Sequence, residues 1–190
     1  MNLLAAYWLP IVVSSVFVFI ASSIIWMALP IHKKDYKNPG EKEGPVLETL
    51  RTVGLEPGLY FFPHGCHGKP DEAMQQKIRR GPWASISVYP GMPHMGKMLG
   101  LWLLHILIMN FLVAYITMVA LHGAGTYLEV FRVAGAAAFI AYAGYSIPLC
   151  VWHSTPWSHL PGRLFDGVVY TCLVAGSFGW LAPHAPHLPV

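Results

Sequence analysis

Four long stretches of this chain are nearly free of charge, and the segment between the first two holds almost all of it. Residues 3–31 carry no charged side chain, and 99–121 are interrupted only by His105 and Asn110. Two further apolar runs, 127–152 and 161–182, hold Glu129 with Arg132 and Arg163 with Asp166 respectively. About 20 apolar residues suffice to cross a bilayer. The pattern therefore predicts an all-α membrane protein, 1–190, as a four-helix transmembrane bundle with spans over 3–31, 99–121, 127–152 and 161–182. A small α/β insertion, 32–98, lies between the first and second helices.

Each run carries local signals. No basic residue precedes the first run, and Lys33 and Lys34 follow it, so it reads as a retained helix and not a cleaved leader. Ser14, Ser15, Ser22 and Ser23 suit either close packing against another helix or bonding back to their own helix. Thr126 with Glu129 three residues later forms a capping box that starts the third helix at Tyr127. Its alanines and glycines, from Ala134 to Gly144, make a narrow face that predicts a buried helix, kinked near Pro148. The fourth helix opens at Pro161, with Asp166 in its second turn and Gly176 and Gly179 further on.

Within 32–98 the apolar pattern shortens. Asn38-Pro39-Gly40 is a turn cluster. Gly44-Pro45 opens a helix with a stripe of Val46, Leu47, Leu50 and Val53 that Gly54 stops. Residues 58–63 and 83–89 read as strands. Between them a helix starts at Pro70, with Asp71 and Glu72 in its first turn and Lys77, Arg79 and Arg80 at its end, as the helix dipole favours. This order suggests a βα-type unit of two strands. Two strands alone are marginal in water, so a cover is expected from the membrane surface, the helix ends or a partner protein.

Composition agrees with the pattern. The chain is 55% hydrophobic and 11% charged, where soluble domains average about 25% charged. Its net charge of +3 comes from residues flanking apolar runs, which gives nucleic-acid binding no basis. Cys66, Cys150 and Cys172 make no disulfide framework. Lys33, Lys34, Lys37 and Lys97 gather at one side of the spans and Arg132 lies at the other, which puts 32–98 in the cytoplasm and both termini outside. Tyr7, Trp8 and Trp180 would mark the outer interface, and Trp26, Trp102 and Trp152 the inner one. A bacterial inner membrane fits this arrangement.

Three groups are candidates for chemistry. His64, Cys66 and His67 in a glycine-rich run offer borderline ligands for copper or zinc, although a turn with surface histidines is the plainer reading, since a structural site needs a fourth ligand from elsewhere. Met92, Met95 and Met98 with His94 would present thioethers and an imidazole to Cu(I), or fill apolar surface. The intramembrane polar residues His105, Asn110, His153 and Asp166 are the third group, and a His105–Asp166 contact would serve as a proton relay, a metal site or a packing pair. Phe62 to Asp71 has the strand, glycine-rich loop and helix start of a phosphate cradle, but Asp71 and Glu72 would repel an anion. No catalytic motif is legible. The expected function is a non-enzymatic accessory or scaffold subunit of a larger membrane complex, an energy-transducing one among the options, with other membrane protein subunits and the lipid bilayer as partners and no cofactor. Copper or other metal handling is the alternative, and a small proton or solute carrier the second alternative.

Overall fold

The computed structural model describes residues 3–64, 70–123 and 125–183. Its helices are α1 (Leu3–Ser23), α2 (Glu43–Val53), α3 (Glu72–Arg80), α4 (Met95–Ala120), α5 (Tyr127–Ala143), α6 (Ser146–Trp152) and α7 (Leu160–Leu181). Its strands are β1 (Gly58–Phe62) and β2 (Ala84–Val88). The chain divides into two compact units, residues 1–36 with 95–190, and residues 37–94.

Four helical segments of the first unit are long and apolar enough to cross a membrane: Ala5–Ala28, Met95–Ala120, Tyr127–Trp152 and Trp157–Leu181. Each has 24 to 26 residues, about 36 to 39 Å of helix against roughly 30 Å of bilayer hydrocarbon. They pack as a ring in which α1 touches α4 and α7, and α5 touches the same two. Polarity is inverted relative to a water-soluble bundle. Ser14, Ser15, Asn110, Thr117 and Asp166 are buried, while Val16, Phe17, Ile20, Leu104, Ile108 and Val168 face outward. Apolar outside and polar inside is the pattern of a multi-pass membrane protein.

The ends of the spans differ from expectation where backbone hydrogen bonding changes. The first helix does not run on to residue 31. It passes into a π-helical turn, Ile24–Ala28, closed by the Leu29 amide donating to the Ile24 carbonyl at 3.1 Å, and Pro30 then redirects the chain. The second span begins at Met95 instead of residue 99. The third breaks between α5 and α6 at residues 144–145 and not at Pro148 itself. A proline ring clashes with the carbonyl four residues earlier, so the break belongs one turn upstream. The capping box forms as expected, with Thr126 accepting from the Glu129 amide and Glu129 accepting from the Thr126 amide.

Small residues decide how near α5 and α7 come. A Cβ added to Gly167 would lie 2.6 Å from the Ala143 Cβ, and one on Gly135 would lie 3.3 Å from the Ala175 Cβ. Yet α5 is not wholly enclosed, because only its small face turns inward while Phe139 and Ile140 face out.

In residues 37–94 a 3-10 turn, Gly40–Lys42, leads into α2, which therefore starts at Glu43 ahead of Pro45 and stops at Gly54 in a left-handed conformation (φ 63°). Asp71 lies outside α3 as its N-cap, its carboxylate accepting from the Met74 amide at 2.7 Å, so the helix starts after Pro70. The strands pair antiparallel, Gly58 opposite Val88 and Phe62 opposite Ala84. A βα crossover would return the second strand to the start of the first. Here α3 delivers β2 at the end of β1. No described residue of 37–94 is buried.

Replacing Gly167 by Ala should lower the stability of the detergent-solubilised protein by about 1–3 kcal/mol, read as a drop in its thermal midpoint. At Gly176 an added Cβ meets nothing within 4 Å, so Gly176→Ala should be neutral or slightly stabilising. Equal effects at the two sites would refute the close approach of α5 and α7.

Candidate functional site

Asp166 falls on the second turn of α7 and turns inward, where it is buried. A carboxylate stripped of water needs partners within hydrogen-bonding reach. Two come from the end of the first span. The π turn swings the Trp26 indole so that its Nε1 donates to Asp166 Oδ2 at 3.1 Å. Beyond Pro30 the chain folds into a tight turn, with the Asp35 amide donating to the His32 carbonyl at 3.0 Å. That turn lays the His32 ring on Trp26, with centroids 3.9 Å apart and planes 5° from parallel. His32 Nε2 then lies 3.0 and 3.2 Å from the two Asp166 oxygens, and Nδ1 lies 2.7 Å from Asp35 Oδ2. Gly162 makes the seat, since a Cβ there would stand 3.1 Å from the His32 ring.

An imidazole with a carboxylate at each nitrogen is matched to its doubly protonated form, which donates at both. Burial opposes that charge, but the hydrogen bonds to Asp35 and Asp166 and the two negative charges outweigh it, so the His32 pKa lies above its usual value. The folded protein thus holds this proton more tightly than the unfolded chain. Its stabilisation is complete below the unfolded pKa of about 6.5 and fades as pH rises through the higher folded value.

Beside this cluster lies a cavity of about 200 Å³ whose lining includes Trp26, Trp102, Tyr142, Arg163, Asp166 and Tyr170. The Arg163 Nε is buried without a hydrogen-bond partner, and the Tyr170 hydroxyl lies against the Trp26 indole. Deeper in the bundle a neutral tier follows. The Tyr142 hydroxyl donates to Asn110 Oδ1 at 2.9 Å, and Asn110 Nδ2 donates to the Ser14 and Ser15 hydroxyls at 3.0 Å each. Both serines donate in turn to the Ile11 carbonyl. The serines therefore serve both expected purposes, bonding back to α1 and joining it to α4. Trp102 Nε1 likewise donates to Ser22 Oγ at 2.9 Å, and Ser22 to the Phe19 carbonyl.

Of the intramembrane residues singled out from the sequence, Asp166 and Asn110 are buried and networked. The expected His105–Asp166 contact does not form. His105 turns outward, stacked on Trp102 at 5.4 Å, and the histidine on Asp166 is His32. His105 stands about 15 Å along α4 from Met95, whereas Asp166 is only about 9 Å into α7. His153 is exposed after α6, 3.0 Å from the Tyr145 hydroxyl. Asp35, Arg163, Tyr142 and Tyr170 carried no sequence signal beyond their type, since only the rotation of α5 and α7 aims the last three inward and only the turn after Pro30 brings in Asp35.

The metal candidates divide between the two units. His64, Met92 and His94 belong to residues 37–94, all three exposed, while Met95 and Met98 lie one turn apart on the exposed start of α4. Cys66 and His67 lie outside the described residues, as does the glycine-rich core of the phosphate-cradle candidate. Among the described residues no group of three His, Cys, Asp or Glu side chains is arranged to hold a metal ion. At the cluster around Asp166 the two ring nitrogens of His32 point to different carboxylates.

Two outcomes follow for this column. The thermal midpoint of the wild type should fall as pH is raised from about 6.5, and His32→Gln should flatten that dependence; an unchanged slope in the variant would separate His32 from it. Interhelical bonds in membranes average about 0.6 kcal/mol, so Asn110→Ala, which removes three and orphans the Tyr142 hydroxyl, should cost about 2 kcal/mol in denaturant unfolding. Compared with protein-family models, curated proteins and solved structures, the chain shows no significant match in any of the three.

Proposed function

We propose that this protein is a non-enzymatic accessory or scaffold subunit of a larger membrane assembly. In this reading residues 32–98 form a small α/β insertion on the cytoplasmic side of a bacterial inner membrane, with both termini outside. The clustering of Lys33, Lys34, Lys37 and Lys97 at one side supports that orientation.

The observation that carries the reading is the lack of a core in residues 37–94. They fold into two helices and a two-stranded sheet, yet no described residue among them is buried. Val46, Leu47 and Val53 on α2, Leu59 and Phe61 on β1, and Trp83 are all exposed. Leu59 and Phe61 stand on one face of the strand, opposite Ser87 and Ser85. On the other face a hollow of about 430 Å³ opens among Phe62, Ala84, Ile86, Lys77 and Arg80. Folding a segment costs roughly 1–2 kcal/mol of backbone entropy per residue. With so little burial, the compensation must come from another surface, and exposed apolar side chains of this kind mark where a partner protein docks.

Extracted from its own membrane in mild detergent, the protein should migrate with other membrane chains in a complex well above its own mass. Phe61→Lys should release it while leaving the bundle's thermal midpoint within about 0.5 kcal/mol of stability. A monodisperse single chain with residues 37–94 fully protected from proteolysis would overturn the proposal.

A further inference from the structure

We propose that Asp35, His32 and Asp166 form a one-sided proton path that loads the half-open hollow lined by Asp166 from the membrane face where the first span ends and α4 begins. The inference stands apart from the subunit reading, because it rests on the bundle alone.

Continuity is the first argument. Asp35 on the segment after α1 is 2.7 Å from His32 Nδ1, and His32 Nε2 is 3.0 Å from Asp166, which lines the cavity. Lys33, Lys34 and Tyr36, beside this chain, are exposed, so its outer end meets water. The second argument is the chemistry of the cavity. Its volume of about 200 Å³ accommodates about six waters at roughly 30 Å³ each. One buried polar atom of a lining residue, Arg163 Nε, has no protein partner, and buried groups of this kind are met by water. Tyr142, a further wall residue, continues the polar column to Asn110, Ser14 and Ser15 at mid-span. Past that point Ile11, Val113, Val130, Val174 and Phe178 fill the interior, and the buried Thr117 and Ser177 hydroxyls bond back to their own helices at the Val113 and Leu173 carbonyls. The path enters from one side and stops halfway.

The transfer conserves protons. The imidazolium, whose Nδ1 proton came from solvent by way of Asp35, gives its Nε2 proton to Asp166, breaking an N–H bond and forming an O–H bond. The ring is left neutral with its proton on Nδ1, and Asp166 becomes a neutral acid. The other charged or titratable groups at the cavity are Arg163 and Tyr170 from α7, Tyr142 from α5 and Tyr145 between α5 and α6, while α4 contributes Trp102 and α6 Ser146. Protonating Asp166 also removes the charge that attracts His32, and the first span's hold on α7 loosens as the cavity fills.

The test uses the full chain with 15N-labelled histidine, in phosphatidylcholine vesicles selected for one orientation. His32 resonances, identified by their loss in His32→Gln, should respond when pH is changed on the face where the first span ends and α4 begins, and stay fixed when only the opposite medium is changed. Hydrogen–deuterium exchange at the Asp166 carboxyl, followed by its infrared band, should slow at least tenfold in Asp35→Asn, which keeps the His32–Asp166 contact but cannot relay a proton. Response to the opposite face, silence to both, or unchanged exchange in Asp35→Asn would each overturn the path.

Discussion

A carboxylate inside an apolar bundle is tolerable only if its charge is met at contact distance, and much of this bundle is arranged around that demand at Asp166. The continuous helix of the first span gives way to a π turn, which is what turns Trp26 toward α7. Pro30 ends that span and lets the next residues curl back, bringing His32 under the indole. Gly162 leaves the space this ring occupies. Each irregularity is unfavourable by itself and is offset by a contact that an unbroken helix would not make.

Two tiers of polar contact hold the four helices, and they differ in kind. The neutral tier at Asn110 joins α1, α4 and α5 through hydroxyl and amide bonds, each satisfied at both ends. Such bonds are individually modest in a membrane. The charged tier joins α1 to α7, and with burial on this scale its value lies in specificity more than in strength. A rotated or shifted α7 would strand Asp166 among apolar side chains. Between the tiers, Tyr142 packs edge-on against Tyr170 with centroids 5.7 Å apart, so α7 is drawn into the neutral tier by shape.

The spans, the capping box at Thr126 and the small-residue face of α5 were legible because each is a local pattern with a fixed period or spacing. Asp166 was legible as an acid in an apolar run. Its partner was not. Successive residues turn by about 100° around a helix, so a π turn of five residues or a break at 144–145 resets which side chains face inward. His105 lost its expected place to this geometry of depth and phase, and His32 gained one because a proline turned the chain back toward the bundle. The direction of the strand pair was equally hidden, since it depends on which end of β1 receives the chain from α3. Residues 37–94 show the limit from the other side, where local signals place helices and strands correctly and say nothing about what covers them.

His32 and Asp166 lie 134 positions apart in the chain, and that separation sets an order of assembly. Ribosomes add about 5 to 20 residues per second, so the first span precedes its carboxylate partner by roughly 7 to 27 s. Through that interval His32 has Asp35 but not Asp166 as a partner, while the Asn110 contacts that join α1, α4 and α5 need no residue of α7. The ring can close only when α7 arrives, so of these four spans the one made latest completes the polar interior. A chain stalled or cut before residue 166 would leave three spans in the membrane with the half-built cluster open to whatever lipid headgroup or insertion factor lies beside it.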